Sequence, residues 1–178
     1  LLQELGQQPG IVSRGYRADS TGENDEKRVL AQLCPGVPHE QNPDRVAAAK
    51  KLIANEHVSA IVLDDAFQHR RIHRDLNVVL IDATNPFGHG HLLPRGLLRE
   101  SLRGLKRADI VLITRADAAS ENTLKDIATT VAEHNPALAQ KTFRVSFRPT
   151  GLLSPDGSHP LSDVRGQPVT VMTAIGNP

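Results

Sequence analysis

The chain has 178 residues, room for one packed domain with at most a small appendage, and its net charge of +1 comes from 21 basic against 20 acidic side chains. With aromatics at only 3% of residues it offers neither the positive field nor the stacking platforms of a nucleic-acid binder, so no nucleic-acid partner is expected. The single cysteine, Cys34, closes no internal disulfide and joins no CxxC zinc ladder, which fits a reducing setting. No apolar run approaches the roughly 18 residues of a membrane span.

In chain order, "LLQELGQQPG" reads as the last turn of a helix stopped by Gly6, Pro9 and Gly10, which implies residues upstream. A strand is expected over Gly10 to Tyr16, a short helix over "EKRVLAQLC" and a weak strand at "VPHE". "NPDRVAAAKKLIANEH" predicts a helix with Asn42 as N-cap and Pro43 at its first position. "AIVLDD", "NVVLIDA" and "ADIVLITRAD" follow, three strands with continuous apolar centres, as in a parallel sheet covered on both faces. A capped helix, "SENTLKDIATTVAEHN", and a last strand, "KTFRVSFRP", complete an α/β pattern: an open, mostly parallel sheet with helices on both faces. This core takes residues 1–149. From Thr150 turn residues dominate, "SPDGS" signals a hairpin, and 150–178 read as a linker or small β appendage. It leads to an apolar strand, "VTVM", and a Gly-Asn-Pro turn that opens a further element, so the chain reads as a piece of a longer protein.

Open α/β sheets bind ligands beyond the carboxyl ends of their strands. The unusual residues collect there. Asp64 and Asp65 close one strand, Asp82 the next, and Arg115 and Asp117 follow a third. A strand of the form IVLDD has the shape of a Walker B element, whose Asp holds Mg²⁺ beside phosphates; alternatively one Asp caps the next turn. "FQHRRIHRD" places His69, Arg70, Arg71, His73 and Arg74 where they could pair with phosphate oxygens, or form a solvated basic turn. His89 and His91 in "FGHGH" lack a third ligand and read as loop residues. Glu100 in "RGLLRE" either joins a metal shell or pairs with Arg99 or Arg103. Asp117 in "TRAD" either reads a nucleotide base or caps the following helix. Asp25 and Glu26 in "TGENDEKRVL" suit a helix start, or a carboxylate poised to take a hydroxyl proton. The phosphate loop GxxxxGK[ST] has no counterpart among the 178 residues, which contain no Gly-Lys pair, and is expected upstream of Leu1.

Together "SRGY", "NDE", "DRVAAAKKL", the run from Ile61 to Ser101, "ADIVLITRAD" and "AIGNP" resemble the tetraacyldisaccharide 4'-kinase family of lipid A biosynthesis. The resemblance covers most of Val12 to Asp117 and weakens from Ala118 to Arg165. It implies a P-loop NTPase-like fold, with ATP and Mg²⁺ as cofactors and transfer of the γ-phosphate to the 4'-hydroxyl of an acylated glucosamine disaccharide 1-phosphate, giving lipid IV-A. It also implies the membrane surface as partner and the cytoplasmic face of the bacterial inner membrane as location, peripherally or through an upstream anchor. By the same resemblance Asp25 falls on the catalytic base, Asp64, Asp65 and Glu100 on the Mg²⁺ and phosphate motifs, and Arg14, Glu26, His69, Arg70, Arg71 and Arg74 on substrate or phosphate contacts. A further Asp-His segment is expected beyond Pro178. Asn24 and Ala66 replace motif glycines, and Leu97 and Ser101 replace prolines; Ala66 is expected to be strained if its position needs positive φ. The competing readings are a P-loop GTPase or metal-insertion ATPase, suggested by "TRAD", and a non-catalytic α/β binding module.

Overall fold

The structure is a computed structural model that describes residues 1–15, 25–170 and 172. Its strands form two three-stranded parallel sheets and a hairpin. In the first sheet β1 (Pro9–Ser13) lies between β2 (His39–Gln41) and β3 (Ala60–Leu63). Pro9 is tolerated in this central strand because it is the first residue, where no ladder donor is lost. Helix α1 (Asp25–Leu33) precedes β2, and α2 (Arg45–Glu56) connects β2 to β3. Ala48, Ala49 and Leu52 of α2 are buried, and Val12, Ala48, Leu52 and Val58 make a small core. Gly10 permits that approach, since a Cβ there would meet Leu52 and Val58 side-chain atoms at 3.0 Å.

The second sheet has β5 (Ile110–Thr114) between β4 (Val78–Asp82) and β6 (Thr142–Arg144). Its register pairs Val78 with Ile110 and Asp82 with Thr114, so the carboxyl ends of both strands fall together. Helix α3 (Glu121–His134) lays a stripe of Leu124, Ile127 and Val131 on Val111, Ile113 and Leu138. This core has eleven buried residues, and Phe67, from the loop after β3, packs against it. That loop therefore ties the two sheets together.

Among the described residues β3 and β4 share no ladder. A cavity of about 1190 Å³ opens between them, lined by both strands, and Val62, Val78 and Leu80 remain 46%, 38% and 65% exposed. The expected single open sheet thus takes the form of two half-sheets facing across an apolar slot.

Several boundaries differ from the sequence reading. Asn42 is not the cap of α2: its side chain accepts from Asp44 N at 2.9 Å, and Asp44 caps the helix by accepting from Val46 N and Ala47 N. The helix then ends at His57, which takes a left-handed conformation. Residues 2–6 form turns rather than a helical end. The strand expected over Gly10 to Tyr16 stops at Ser13, and Tyr16 lies outside the described residues. The last core strand is confined to Thr142–Arg144. Residues 168–170 are not in a strand, and the "AIGNP" turn lies outside the described residues. The hairpin at "SPDGS" forms as β7 (Leu152–Ser154) and β8 (Gly157–His159).

Candidate active site

The ladder of β3 runs one residue past its last strand position, with Asp64 N donating to Val12 O at 2.9 Å. The chain then turns sharply. Asp65 takes a left-handed conformation at φ 46°, which Asp tolerates better than most residues. Ala66 has no positive φ and is buried, so the strain expected at Ala66 falls on Asp65 instead, and the Gly-to-Ala departure is accommodated as packing.

Asp65 is ion-paired. Both its carboxylate oxygens accept from Nη1 of Arg99, in the loop after β4, and both side chains are more than half exposed. The aspartate raises the pKa of the guanidinium above its ordinary value through that hydrogen bond. The loop is shaped by a close crossing at Gly96, where a Cβ would meet His91 O at 2.3 Å and Gly88 O at 2.4 Å. No side chain larger than hydrogen fits there.

Glu100 pairs with neither Arg99 nor Arg103. Its two oxygens accept from Nη2 of Arg107 at 2.8 and 2.7 Å, Oε1 accepts from Gln68 at 3.2 Å, and Arg70 stands 3.9 Å away. Arg107 also lies 4.5 Å over the Phe67 ring. Three elements meet at this clamp: the loop after β3, the loop after β4, and the 3₁₀ turn of Leu102–Arg107 that leads into β5.

The basic run after β3 divides by role. Arg74 folds into its own loop, donating to Asn77 Oδ1 at 2.5 Å, His69 O at 2.6 Å and Ala66 O at 3.2 Å. Its guanidinium is engaged by these three acceptors within the loop, at a position where the resemblance implies a phosphate contact. Arg70 and Arg71 are exposed. Asp44 has a lowered pKa, first through the amide of Ala47, with the positive field of Arg71 and His69 contributing. The basic loop therefore lies toward the start of α2 as well as toward Glu100.

On the second sheet Asp82 accepts from Arg115 Nη2 at 2.7 Å and Nε at 3.2 Å, and from Thr84 N and Oγ1 at 2.9 and 2.7 Å. Arg115, itself left-handed at φ 52°, holds the Asp82 carboxyl down at about 2. Asp117 does not cap α3. Ser120 does, accepting from Thr123 N at 3.1 Å, and Asp117 is exposed in a 3₁₀ turn just beyond β5.

Asp25 opens α1 with its side chain fully exposed, 3.6 Å from Arg28. Arg14 is exposed just past the end of β1. The side chain of Glu26, and Asn24, lie outside the described residues. Sequence reasoning passed over one polar group at this edge. His39 on β2 shares a hydrogen bond with buried Ser13 Oγ at 2.9 Å, Gln41 donates to the same oxygen at 3.2 Å, and burial lowers the His39 pKa. The fields of Lys27 and Asp64 both reach that ring, which places α1 and the aspartates around one corner. The sequence signal was a polar triplet, His-Glu-Gln, in a short strand.

Among the described residues no three His, Cys, Asp or Glu side chains converge as a preformed cation site, His89 and His91 included. The donors at the edge of β3 are two hard carboxylates. They suit Mg²⁺, which takes one or two carboxylates and completes its shell with water and phosphate oxygens.

Parallel strands carrying a Walker B-like pair of aspartates at their carboxyl ends, beside arginine-rich loops, define a P-loop-type α/β protein. The solved structure of LpxK from Aquifex aeolicus in complex with ATP superposes with a TM-score of 0.56 at 31% identity, over 62% of this chain and 39% of that one. The family model for tetraacyldisaccharide-1-P 4'-kinase (LpxK) matches residues 1–178, and the chain belongs to that family. Among curated tetraacyldisaccharide 4'-kinases, that of Halothermothrix orenii is 35% identical over 99% of this chain and 49% of its own length. That of Syntrophus aciditrophicus is 34% identical over all of this chain and 54% of its own. The chain spans about half the length of these relatives.

Proposed function

We propose that the protein containing these residues transfers the γ-phosphate of ATP to the 4'-hydroxyl of a tetraacyldisaccharide 1-phosphate, giving lipid IV-A in lipid A biosynthesis. The observation that carries the reading is the Asp64-Asp65 pair at the carboxyl end of β3, with Arg99 closing on it from the loop after β4. Phosphoryl transfer needs little covalent help from the protein; it needs positioning and neutralised charge. Asp64 and Asp65 would hold Mg²⁺, which supplies charge neutralisation across the transferring phosphoryl group. Glu100 would join that shell only by releasing Arg107, and otherwise fixes the loop that carries Arg99. Arg14, Arg70 and Arg71, all exposed, would take phosphate oxygens, and Glu26 and His69 are assigned to the same contacts by the resemblance. Asp25, fully exposed and 3.6 Å from Arg28, would accept the sugar hydroxyl proton. Asp117 is left to the nucleotide base.

The slot between β3 and β4 supports the P-loop reading. Its two apolar strand edges would be completed by one further parallel strand, and the relatives have about as much chain again to supply it. No described helix is long and apolar enough to cross a membrane. We place the protein at the cytoplasmic face of the inner membrane because an acylated substrate is presented at a lipid surface. The test is transfer of labelled phosphate from ATP to tetraacyldisaccharide 1-phosphate in detergent by the full-length protein. Asp64→Asn and Asp65→Asn should each abolish it. Transfer from GTP in preference to ATP, or ATP hydrolysis with no lipid product, would overturn the assignment.

A further inference from the structure

Asp65 and Glu100 both meet arginines, but in opposite settings. The Glu100–Arg107 pair is largely enclosed, with side chains 22% and 28% exposed, and is braced by Gln68 and the Phe67 ring. The Asp65–Arg99 pair is open, with side chains 55% and 60% exposed. Arg99 and Glu100 are adjacent, so the backbone at this point is pinned while, among the described residues, the Arg99 side chain is held by a surface ion pair. Exposed pairs of that kind contribute little and exchange readily.

We propose that Arg99 is an internal counter-ion of Asp65 that withholds this carboxylate from a free divalent cation and gives it up when a nucleoside triphosphate brings phosphate oxygens for the guanidinium to take. This rests on the reading of Asp64 and Asp65 as the metal-holding pair. The charges account for the exchange. A cation arriving alone meets one available carboxylate, Asp64, beside a fixed positive charge, and the described residues offer no third acidic or imidazole ligand to compensate. A cation arriving on a triphosphate brings its own oxygen ligands. The same triphosphate offers Arg99 an anion that matches its planar fork better than a solvated surface carboxylate does. Asp65 is then released to the metal, and the two aspartates no longer face an unneutralised polyanion. Metal and nucleotide each raise the other's affinity, as linkage requires.

The experiment is binding, not turnover. Free Mn²⁺ is followed by electron paramagnetic resonance during titration of the full-length protein, without nucleotide and with a non-hydrolysable ATP analogue. Arg99→Gln should bind Mn²⁺ alone about two- to fivefold more tightly than wild type, the scale of an exposed pair removed. The same variant should bind the Mn²⁺-analogue complex at least several-fold more weakly. Arg99→Lys, which keeps the charge but not the fork, should lie between wild type and Arg99→Gln in both arms and guards against a folding artefact. Unchanged or weaker binding of Mn²⁺ alone by Arg99→Gln overturns the counter-ion. Tighter Mn²⁺ with undiminished binding of the complex overturns the hand-over to phosphate. Asp65→Asn separates this proposal from the reading beneath it: if that variant binds the Mn²⁺-analogue complex as tightly as wild type does, Asp65 is no metal ligand and both fail.

Discussion

The two half-sheets have the same parallel three-strand plan and unequal interiors. The second is built on eleven buried residues around a central strand whose Val111 and Ile113 are sealed from solvent, and α3 presses a continuous aliphatic stripe onto it. The first has four, Val12, Ala48, Leu52 and Val58, under an alanine-rich helix that contributes closeness more than apolar area. Yet Asp64, Asp65, Arg14 and the His39–Ser13 corner all stand on the first. The proposed site sits on the thinner half, and the thicker half meets it through Phe67 and the Glu100–Arg107 clamp. Local stability varies within a fold, and sites that must admit ligands are drawn from its less stable parts.

Truncation of the two cores should break the comparison most visibly. Ile113→Ala and Leu52→Ala both remove side chains 1% exposed. Each belongs to a class that costs about 2–5 kcal/mol, with the cost rising when the surroundings cannot collapse into the space. Ile113 is ringed by core and should fall at the upper end; Leu52, in a four-residue cluster on the sheet that borders the open slot, should fall at the lower end. Urea unfolding of the full-length variants measures both. Equal costs would mean the halves share one continuous core in the whole protein.

Asp25→Asn should do the reverse, sparing stability and removing function. If Asp25 takes the hydroxyl proton, kcat falls by roughly 10²-fold or more while ATP binding holds. A loss of ATP affinity at unchanged kcat would move Asp25 to nucleotide holding. Because its side chain is fully exposed and its ion pair with Arg28 is at 3.6 Å, the melting temperature should hardly change.

How much of this was legible in the sequence divides along the same line. Strands β3, β4 and β5 announced themselves as apolar runs, and Asp64, Asp65 and Asp82 as carboxylates at their ends, because strand ends are local features. The turn at "SPDGS" was local too. The strand order was not, since parallel ladders join residues far apart in sequence. Nor were the ion pairs: Asp65 finds Arg99 across 34 residues, and Glu100 passes over the nearer Arg99 and Arg103 for Arg107. Which arginine answers which carboxylate depends on how the loop at Gly96 closes. The His39 corner escaped notice because a three-residue polar strand carries almost no periodicity.

Acid should separate the halves again. The Asp82 carboxyl is depressed to about 2, chiefly by its hydrogen bonds from Arg115. A depressed carboxylate stabilises the fold at pH above its unfolded value, about 4, and that contribution disappears as pH falls through the folded value. Wild-type protein should therefore lose stability between about pH 4 and pH 2 through this pair. Asp82→Asn should start lower at neutral pH and change less across that window. A melting curve of Asp82→Asn as acid-sensitive as wild type would assign the loss to other carboxylates.

The smallest effects are the helix caps, and they offer the finest comparison because each half has one of different chemistry. Ser120 caps α3 with a hydroxyl and Asp44 caps α2 with a carboxylate. Ser120→Ala should cost about 1 kcal/mol at every pH, because a hydroxyl accepts from Thr123 N in any protonation state. Asp44 accepts from Val46 N and Ala47 N as an anion, and those amides, Ala47 first, lower its pKa. The folded value lies below the unfolded one, so the cap contributes fully above the unfolded pKa and loses its extra stabilisation as pH falls through the folded one. Asp44→Ala should therefore be costly at neutral pH and less costly in acid, while Asp44→Ser should retain most of the cap without the pH dependence. Thermal melts of Ser120→Ala, Asp44→Ala and Asp44→Ser at pH 7 and pH 3 decide it. A constant Asp44→Ala penalty would show that the residue serves α2 by its conformation alone, and that the field of Arg71 and His69 near it has no bearing on how the helix starts.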